Sequence, residues 1–461
     1  MRRRTIAAIT FALLALTPAA SPTRHADAFP LSGDQTVLPP GTDLNEETLD
    51  KPREVFHSEA IGGAKSYLIN LGDLAFNSNV ILGGPARRAG MSCGSCHVNG
   101  AGNGRLYVPG MSTRPGNFDT TGPLFNPKAH NRARDPVRIP SLRGARFLGP
   151  YGADGRTASL RDFVRNVIVG EFAGPEPSPA VLDAMVAYIE DIDFLPNLNL
   201  AASGRLGVRA ADDAQRRGEA VFFRPFPHDP DLSCAACHIP SSYFVDHRQH
   251  SVGSGGLFKT PTLMNANYNA PYFHDGRFDT YDQVIDHFDR TFGLGLSPQD
   301  HADLMVYLQT IGDGLAPYER GGVDAALKEV NDFARVLNVA IPAHDDGVIA
   351  LAVHTIGAEL RDLVEQFPGV KDPTVEGGIE ERLAARRELK DLVLLVRKIG
   401  VLAADGRYDE AAEEHLNYRK LMYARVPYVL EQARRWSLFN PPVHDGHFGA
   451  LRRLLQSAQR M

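Results

Sequence analysis

All four cysteines of this 461-residue chain fall in two copies of one pattern, Cys-x-x-Cys-His, at Cys93 to His97 and Cys234 to His238. Each copy sets two thiols three residues apart with an imidazole directly behind them. Thiols at that spacing can form thioethers to both vinyl groups of one porphyrin, and the imidazole that follows can bind its iron. A thiol redox centre or half a zinc site would also use a Cys-x-x-Cys pair. The histidine behind both pairs, the duplication, and the lack of a thioredoxin-like strand and helix around either favour covalent haem. Two haem c groups are expected, held by Cys93, Cys96, Cys234 and Cys237, with His97 and His238 as proximal iron ligands.

The elements that position these motifs repeat along the chain. Ile139-Pro140-Ser141-Leu142 leads to Pro150-Tyr151 and then Asp154-Gly155-Arg156; Thr260-Pro261-Thr262-Leu263 leads, without a gap, to Pro271-Tyr272 and Asp275-Gly276-Arg277. Ser178-Pro179 and Ser297-Pro298 each open a stretch with a serine N-cap and proline at the first helical position. Upstream of the two motifs, Gly72 to Phe76 mirrors Gly218 to Phe222. Matches on both sides of both motifs indicate a duplicated unit. The segment from His97 to Pro140 is about twenty residues longer than its counterpart, the kind of long loop that carries function. Beyond residue 321, Leu389, Leu392, Val393, Val396 and Ile399 fall at helical spacing, and further helical stretches cover about 324–339, 344–365 and 408–424.

The predicted fold is mainly α: two cytochrome c-like haem domains in tandem, residues 29–205 and 206–320, and a C-terminal helical bundle, residues 321–461. Residues 1–28 read as a signal peptide, since Arg2, Arg3 and Arg4 precede an apolar run over 6–16 and small residues near Ala20 or at Ala26 and Ala28. An uncleaved N-terminal anchor is the alternative. The run is too short to span a bilayer, no later run reaches the needed length, and no cysteine stands where a lipoprotein would carry one. Export to a bacterial periplasm is expected. A net charge of −6 without basic, aromatic-interleaved blocks gives no footprint for nucleic acid.

The order Cys-x-x-Cys-His, Pro-[Ser/Thr]-Leu, Pro-Tyr-x-x-Asp-Gly-Arg and capped helix, repeated twice, resembles the bacterial di-haem cytochrome c peroxidase and MauG family over roughly residues 50–318. The second half is the nearer match, through residues 256–263, 270–278 and 296–312. The resemblance implies reduction of hydrogen peroxide with electrons from a small cytochrome or cupredoxin, or peroxide-driven oxidation of a protein substrate. It implies that one haem offers an open position for peroxide while the other passes electrons. The alternative is a non-catalytic di-haem electron-transfer cytochrome, with both irons closed by two protein ligands.

Three departures from the family stand in the sequence. Ala153 occupies the place of a tryptophan that lies between the haems in the peroxidases, leaving Tyr151 as the nearby aromatic; the one tryptophan, Trp436, lies in the extension. Phe288 occupies the place of the second haem's sixth ligand and cannot bind iron. Residues 98–105 contain no switchable histidine. His287, one residue before Phe288, is the candidate replacement ligand, and a solvated surface histidine is the alternative, because one step turns a helix by about 100°. His274 matches the family motif and is expected to bond a haem propionate or fix its loop. Glu171 falls near the distal glutamate of the peroxidases' first pocket, where a carboxylate could serve as general acid and base; a solvated glutamate is the other reading. Met111 and His130, in the long loop, are lesser candidates for the first haem's sixth ligand. His344, His354, His415, His444 and His447 in the extension lack the Glu-x-x-His pairing of a bundle metal site.

Overall fold

The computed structural model describes residues 38–45, 48–122, 126, 128, 131–210 and 212–458, with side chains to 453. The expected signal peptide and His130 lie outside the described residues.

The chain is mainly α, as expected. In the first half the helix Tyr67–Phe76 starts at Ser66, whose hydroxyl accepts from Ile69 N–H, and it crosses the helix Pro179–Asp191, capped by Ser178. The second half repeats the crossing with Asp213–Phe223, boxed by Asp212 and Gln215, and Pro298–Ile311, boxed by Ser297 and Asp300. Proline at the first helical turn suits both later helices because its missing N–H would lack an intrahelical acceptor there. Each crossing is made close by a glycine. A methyl at Gly72 would stand 2.0 Å from Ala184 O and 2.7 Å from Tyr188 Cβ; one at Gly218 would stand 2.0 Å from Asp303 O and 2.7 Å from Tyr307 Cβ. Above each crossing a phenylalanine packs on that tyrosine, Phe76 on Tyr188 with ring centres 5.1 Å apart and Phe222 on Tyr307 at 5.0 Å.

Among the described residues, three short antiparallel ladders tie the loops. Asp50–Pro52 pairs with Tyr318–Arg320 and so joins the start of the first half to the end of the second. Asn117–Phe118 pairs with Val137–Arg138, and Gln249–Ser251 with Leu257–Lys259. The halves meet through a reciprocal exchange of backbone hydrogen bonds: Arg138 N–H donates to His274 O (2.7 Å), and Lys259 N–H donates to Ala153 O (3.0 Å). Arg138 and Lys259 hold the same place in the repeat, as do Ala153 and His274. The linker between the halves is packed as well, with Asn265 bonding the backbone of Leu195 through both its Oδ1 and its Nδ2.

Beyond residue 321 come the helices Val323–Ala334, Leu337–Ala340, Asp346–Glu365, Ile379–Ala404, Tyr408–Ala424, Val426–Ala433 and Pro441–Ala458. Leu389, Leu392, Val396 and Ile399 are buried, as their spacing predicts. Val323–Ala334 and Asp346–Glu365 lie against Tyr67–Phe76, and their apolar residues form one continuous core with the first half. The second half has its own smaller core around Phe222, Phe244, Leu304 and Tyr307.

Candidate active site

Each Cys-x-x-Cys-His motif is a single helical turn, Cys93–Cys96 or Cys234–Cys237, so residues three apart project to one side. Serine caps both turns: Ser92 and Ser95 form a reciprocal box, and Ser233 Oγ accepts from Ala236 N–H. The histidine behind each turn is held by a backbone carbonyl. His97 Nδ1 donates to Pro140 O (3.0 Å) and His238 Nδ1 to Phe244 O (3.1 Å). A carbonyl only accepts, so Nδ1 carries the proton and Nε2 is the ring nitrogen available to iron. Burial drives the His97 imidazole down to about 4, against the smaller opposing pull of Pro140 O, and also lowers His238. Both rings are therefore neutral near pH 7, the form a metal requires.

The four cysteines are free of disulfides. Burial pushes the thiols of Cys93, Cys96 and Cys234 up to about 12 and raises Cys237. Redox-active thiols need the opposite shift. For zinc, the groups close enough among the described residues are Cys237, Asp246 and His250, one short of a closed tetrahedral site.

Both motifs open on one cavity of about 1050 Å³, just above the roughly 300–1,000 Å³ typical of single ligand pockets. Its wall is largely apolar, but three of its residues carry a buried polar atom without a protein partner, Arg143 Nε, Ser254 Oγ and Asn269 Oδ1. A buried polar atom left unpaired is costly. The donor set, the neutral imidazoles and these orphaned atoms fit a large apolar macrocycle with a polar edge at each motif.

Glu171 stands on the wall of this cavity. The helix Leu160–Asn166 does not continue as an α-helix but widens into a π-turn, Val167–Glu171, of the sort found at functional sites. Asn126 from the long loop donates to Gly170 O (2.8 Å) and holds the turn. Arg156 Nη2 donates to Glu171 Oε1 (2.9 Å) while its Nη1 bonds Asp154 (3.0 Å), so the carboxylate is fixed at one oxygen and keeps 20% of its side-chain surface open. In the second half the corresponding helix, Tyr281–Phe292, stays regular, and phenylalanine stands where Glu171 stands in the first.

His287 does not reach the cavity. Its Nε2 donates to Val252 O (2.7 Å), and Phe288 lines the wall instead. His287, the expected iron ligand, is thus placed off the cavity by the helix's rotation, which turns Phe288 inward and His287 toward the Gln249–Ser251 ladder.

Comparison with known proteins places the second half. Residues 215–314 match the family model described as di-haem cytochrome c peroxidase. Over that stretch the chain is similar to a di-haem cytochrome c peroxidase domain. It is also similar to the hydrazine synthase subunit gamma of Kuenenia stuttgartiensis, 25% identical over 329 residues that cover 58% of this chain and 83% of that one. The cytochrome-c peroxidase IdrP1 of Pseudomonas sp. (strain SCT) is 32% identical over 80 residues, 15% of this chain and 20% of the relative, so the match spans about a fifth of that peroxidase. Among solved structures, a MauG-like protein associated with microbial copper homeostasis aligns with a TM-score of 0.37 and 18% identity, over 57% of this chain and 92% of that one.

Within the matched residues, His274 stacks face to face on Phe258, with ring centres 3.6 Å apart and planes at 11°, and its carbonyl receives Arg138 N–H. Its visible role is to fix the loop at the seam between the halves. Tyr151 and Tyr272 are equivalent anchors: their hydroxyls donate to Ala145 O (3.2 Å) and Ala266 O (3.1 Å). Met111 is buried in the core of the first half and is not on the cavity wall. In the extension His354 bonds Asn79 (2.7 Å), and His344 stacks on Tyr408. Two wall residues escaped the sequence reading, Arg138 and Lys259. Their signal was present: each is the basic residue two positions before the proline of the repeated motif.

Proposed function

We propose that this is a periplasmic di-haem c-type cytochrome that reduces hydrogen peroxide, or uses it to oxidise a partner, at the site of the first half, with electron transfer through the second. The reading divides the chain into haem domains over 29–205 and 206–320, a signal peptide over 1–28 and the helical extension. Among the described residues no helix is long and apolar enough to cross a membrane. Haem c, joined to Cys93 and Cys96 and to Cys234 and Cys237 with His97 and His238 beneath, would supply the redox chemistry. The observation that carries the proposal is Glu171, a carboxylate held by Arg156 on the wall of a cavity onto which both motifs open.

Peroxide reduction consumes two electrons and two protons and gives two waters. It needs a group that removes a proton from one peroxide oxygen and returns it to the departing one. Glu171 Oε2 is suited to that transfer because Arg156 occupies Oε1 and fixes the carboxylate plane. Phe172, Ile168 and Leu160 on the same wall exclude bulk water from the proton's path. In the second half Phe292 stands in place of Glu171 and Phe288 in place of Val167, so that part of the wall carries no carboxylate, which suits a site that passes electrons. Electrons would come from a small cytochrome or cupredoxin, or from a protein substrate.

The test is the absorption spectrum of the protein as purified, a haem count, and rapid mixing with hydrogen peroxide. Two covalent haems, one of them high-spin, and fast reaction with peroxide are expected. Two low-spin haems inert to peroxide in both the oxidised and the half-reduced protein would overturn the enzyme in favour of an electron carrier.

A further inference from the structure

Arg138 and Lys259 hold the same position in the repeat, yet each side chain leaves its own half. Lys259 Nζ donates to Leu148 O and to Pro150 O (2.7 Å) and lies 5.8 Å from the centre of the Tyr151 ring, all in the first half. Arg138 Nη1 donates to Asn269 O (2.8 Å), beside Tyr272, in the second half. Leu148 and Asn269 are themselves equivalent, each two residues before the Pro-Tyr pair. Together with the exchanged backbone bonds, this gives the seam the reciprocity of a two-fold interface, in which residue i meets j and j meets i.

Both cations stand on the cavity wall, and among the described residues their hydrogen-bond partners are carbonyls, not carboxylates. Burial lowers both, Lys259 to about 8 and Arg138 to about 10. Arg143, bonded to Arg53 O, is a third buried cation on this wall. A buried cation without an anion is strongly unfavourable, so a wall that keeps them is built for negative charge inside the cavity. The cavity's fitted occupants carry that charge as porphyrin carboxylates.

We infer that Arg138 and Lys259 are exchanged cations: each half supplies one positive charge to the cavity wall of the other half, where it would raise the reduction potential of the haem held there. The inference rests on the di-haem reading. Its physical basis is Coulombic, since in a low-dielectric cavity a nearby positive charge favours the state that has gained an electron. Each potential is then set partly by the partner half, and the two centres are tuned together by one seam.

The experiment is a spectroscopic redox titration of the full-length protein and of Lys259→Met and Arg138→Met. Cys234→Ala, which leaves the second haem on one thioether and displaces its absorption band, assigns the two potentials. Lys259→Met should lower the potential of the first haem and leave the second where it was; Arg138→Met should do the reverse. Lys259→Arg should keep the original value, because it restores the charge. Shifts confined to the haem of the variant's own half, equal shifts in both haems, or no shift would overturn the exchange. Should the methionine variants fail to fold, Lys259→Gln and Arg138→Gln keep a carbonyl-binding N–H and carry the same test. A haem count other than two in the unaltered protein would instead overturn the di-haem reading, so the two failures are distinguishable.

Discussion

Tyr188 donates a 2.6 Å hydrogen bond to Glu54 where the first half meets the C-terminal helices, and beside them Lys65 pairs with Asp73 at 2.8 Å. Burial, and then the nearby charge of Asp73, drive the Glu54 carboxyl from its ordinary 4.5 up to about 8, against Lys65 and Tyr188; Glu329 adds to the rise from the helix Val323–Ala334. Burial raises Asp73 also. Glu54 keeps 22% of its side-chain surface open, so water screens part of the push without reversing it.

A carboxyl raised in the folded state binds more protons there than in the unfolded chain. Its contribution to stability is complete below about pH 4.5 and is lost as pH rises toward about 8. Thermal denaturation followed from acid to mildly alkaline pH should show this decline, and Glu54→Gln should flatten it. An equal slope in the variant would remove Glu54 as its source.

Glu171→Gln should keep both haems and their spin states yet slow the reaction with hydrogen peroxide by about 10²- to 10⁴-fold, the usual range for general acid–base catalysis. Glutamine keeps the shape and can still meet Arg156 through its amide oxygen, but it cannot carry the proton. Stopped-flow mixing measures the rate directly. An unaltered rate would assign the proton transfer elsewhere.

Gly218→Ala should destabilise the second half. The new methyl would stand 2.0 Å from Asp303 O, so the helices Asp213–Phe223 and Pro298–Ile311 must separate. Overpacking of this kind costs about 1–3 kcal/mol, more than the roughly 1 kcal/mol that alanine recovers over glycine in helix propensity at the high end of that range. A lower melting temperature, read by circular dichroism, is expected. An unchanged or higher value would show that the helices accommodate the methyl.

His287→Ala should leave the spectrum of both haems unaltered and lower stability by about 1 kcal/mol, the net worth of one hydrogen bond, here to Val252 O. A change of the second haem from low to high spin in the variant would restore His287 as its ligand.

Ser178-Pro179 and Ser297-Pro298 fix their helix starts because capping is local chemistry, complete within three or four residues. The Cys-x-x-Cys-His turns are legible for the same reason. The repeat made the duplication plain, and the burial of Leu389, Leu392, Val396 and Ile399 follows from helical period alone.

What the tertiary structure decided involves direction and distance. Spacing shows that His287 and Phe288 point about 100° apart, but which of them faces the cavity depends on how the whole helix is rotated against its neighbours. Glu171 reaches its place through a π-turn, whose one extra residue per turn leaves no mark in a sequence whose second copy forms a regular helix. Apolar faces in the extension announced that the bundle would be buried somewhere; packing against Tyr67–Phe76 chose the first half. Arg138 and Lys259 look like ordinary basic residues until the halves are brought together, because a side chain's role at an interface is set by contacts far away along the chain, and no local propensity encodes them.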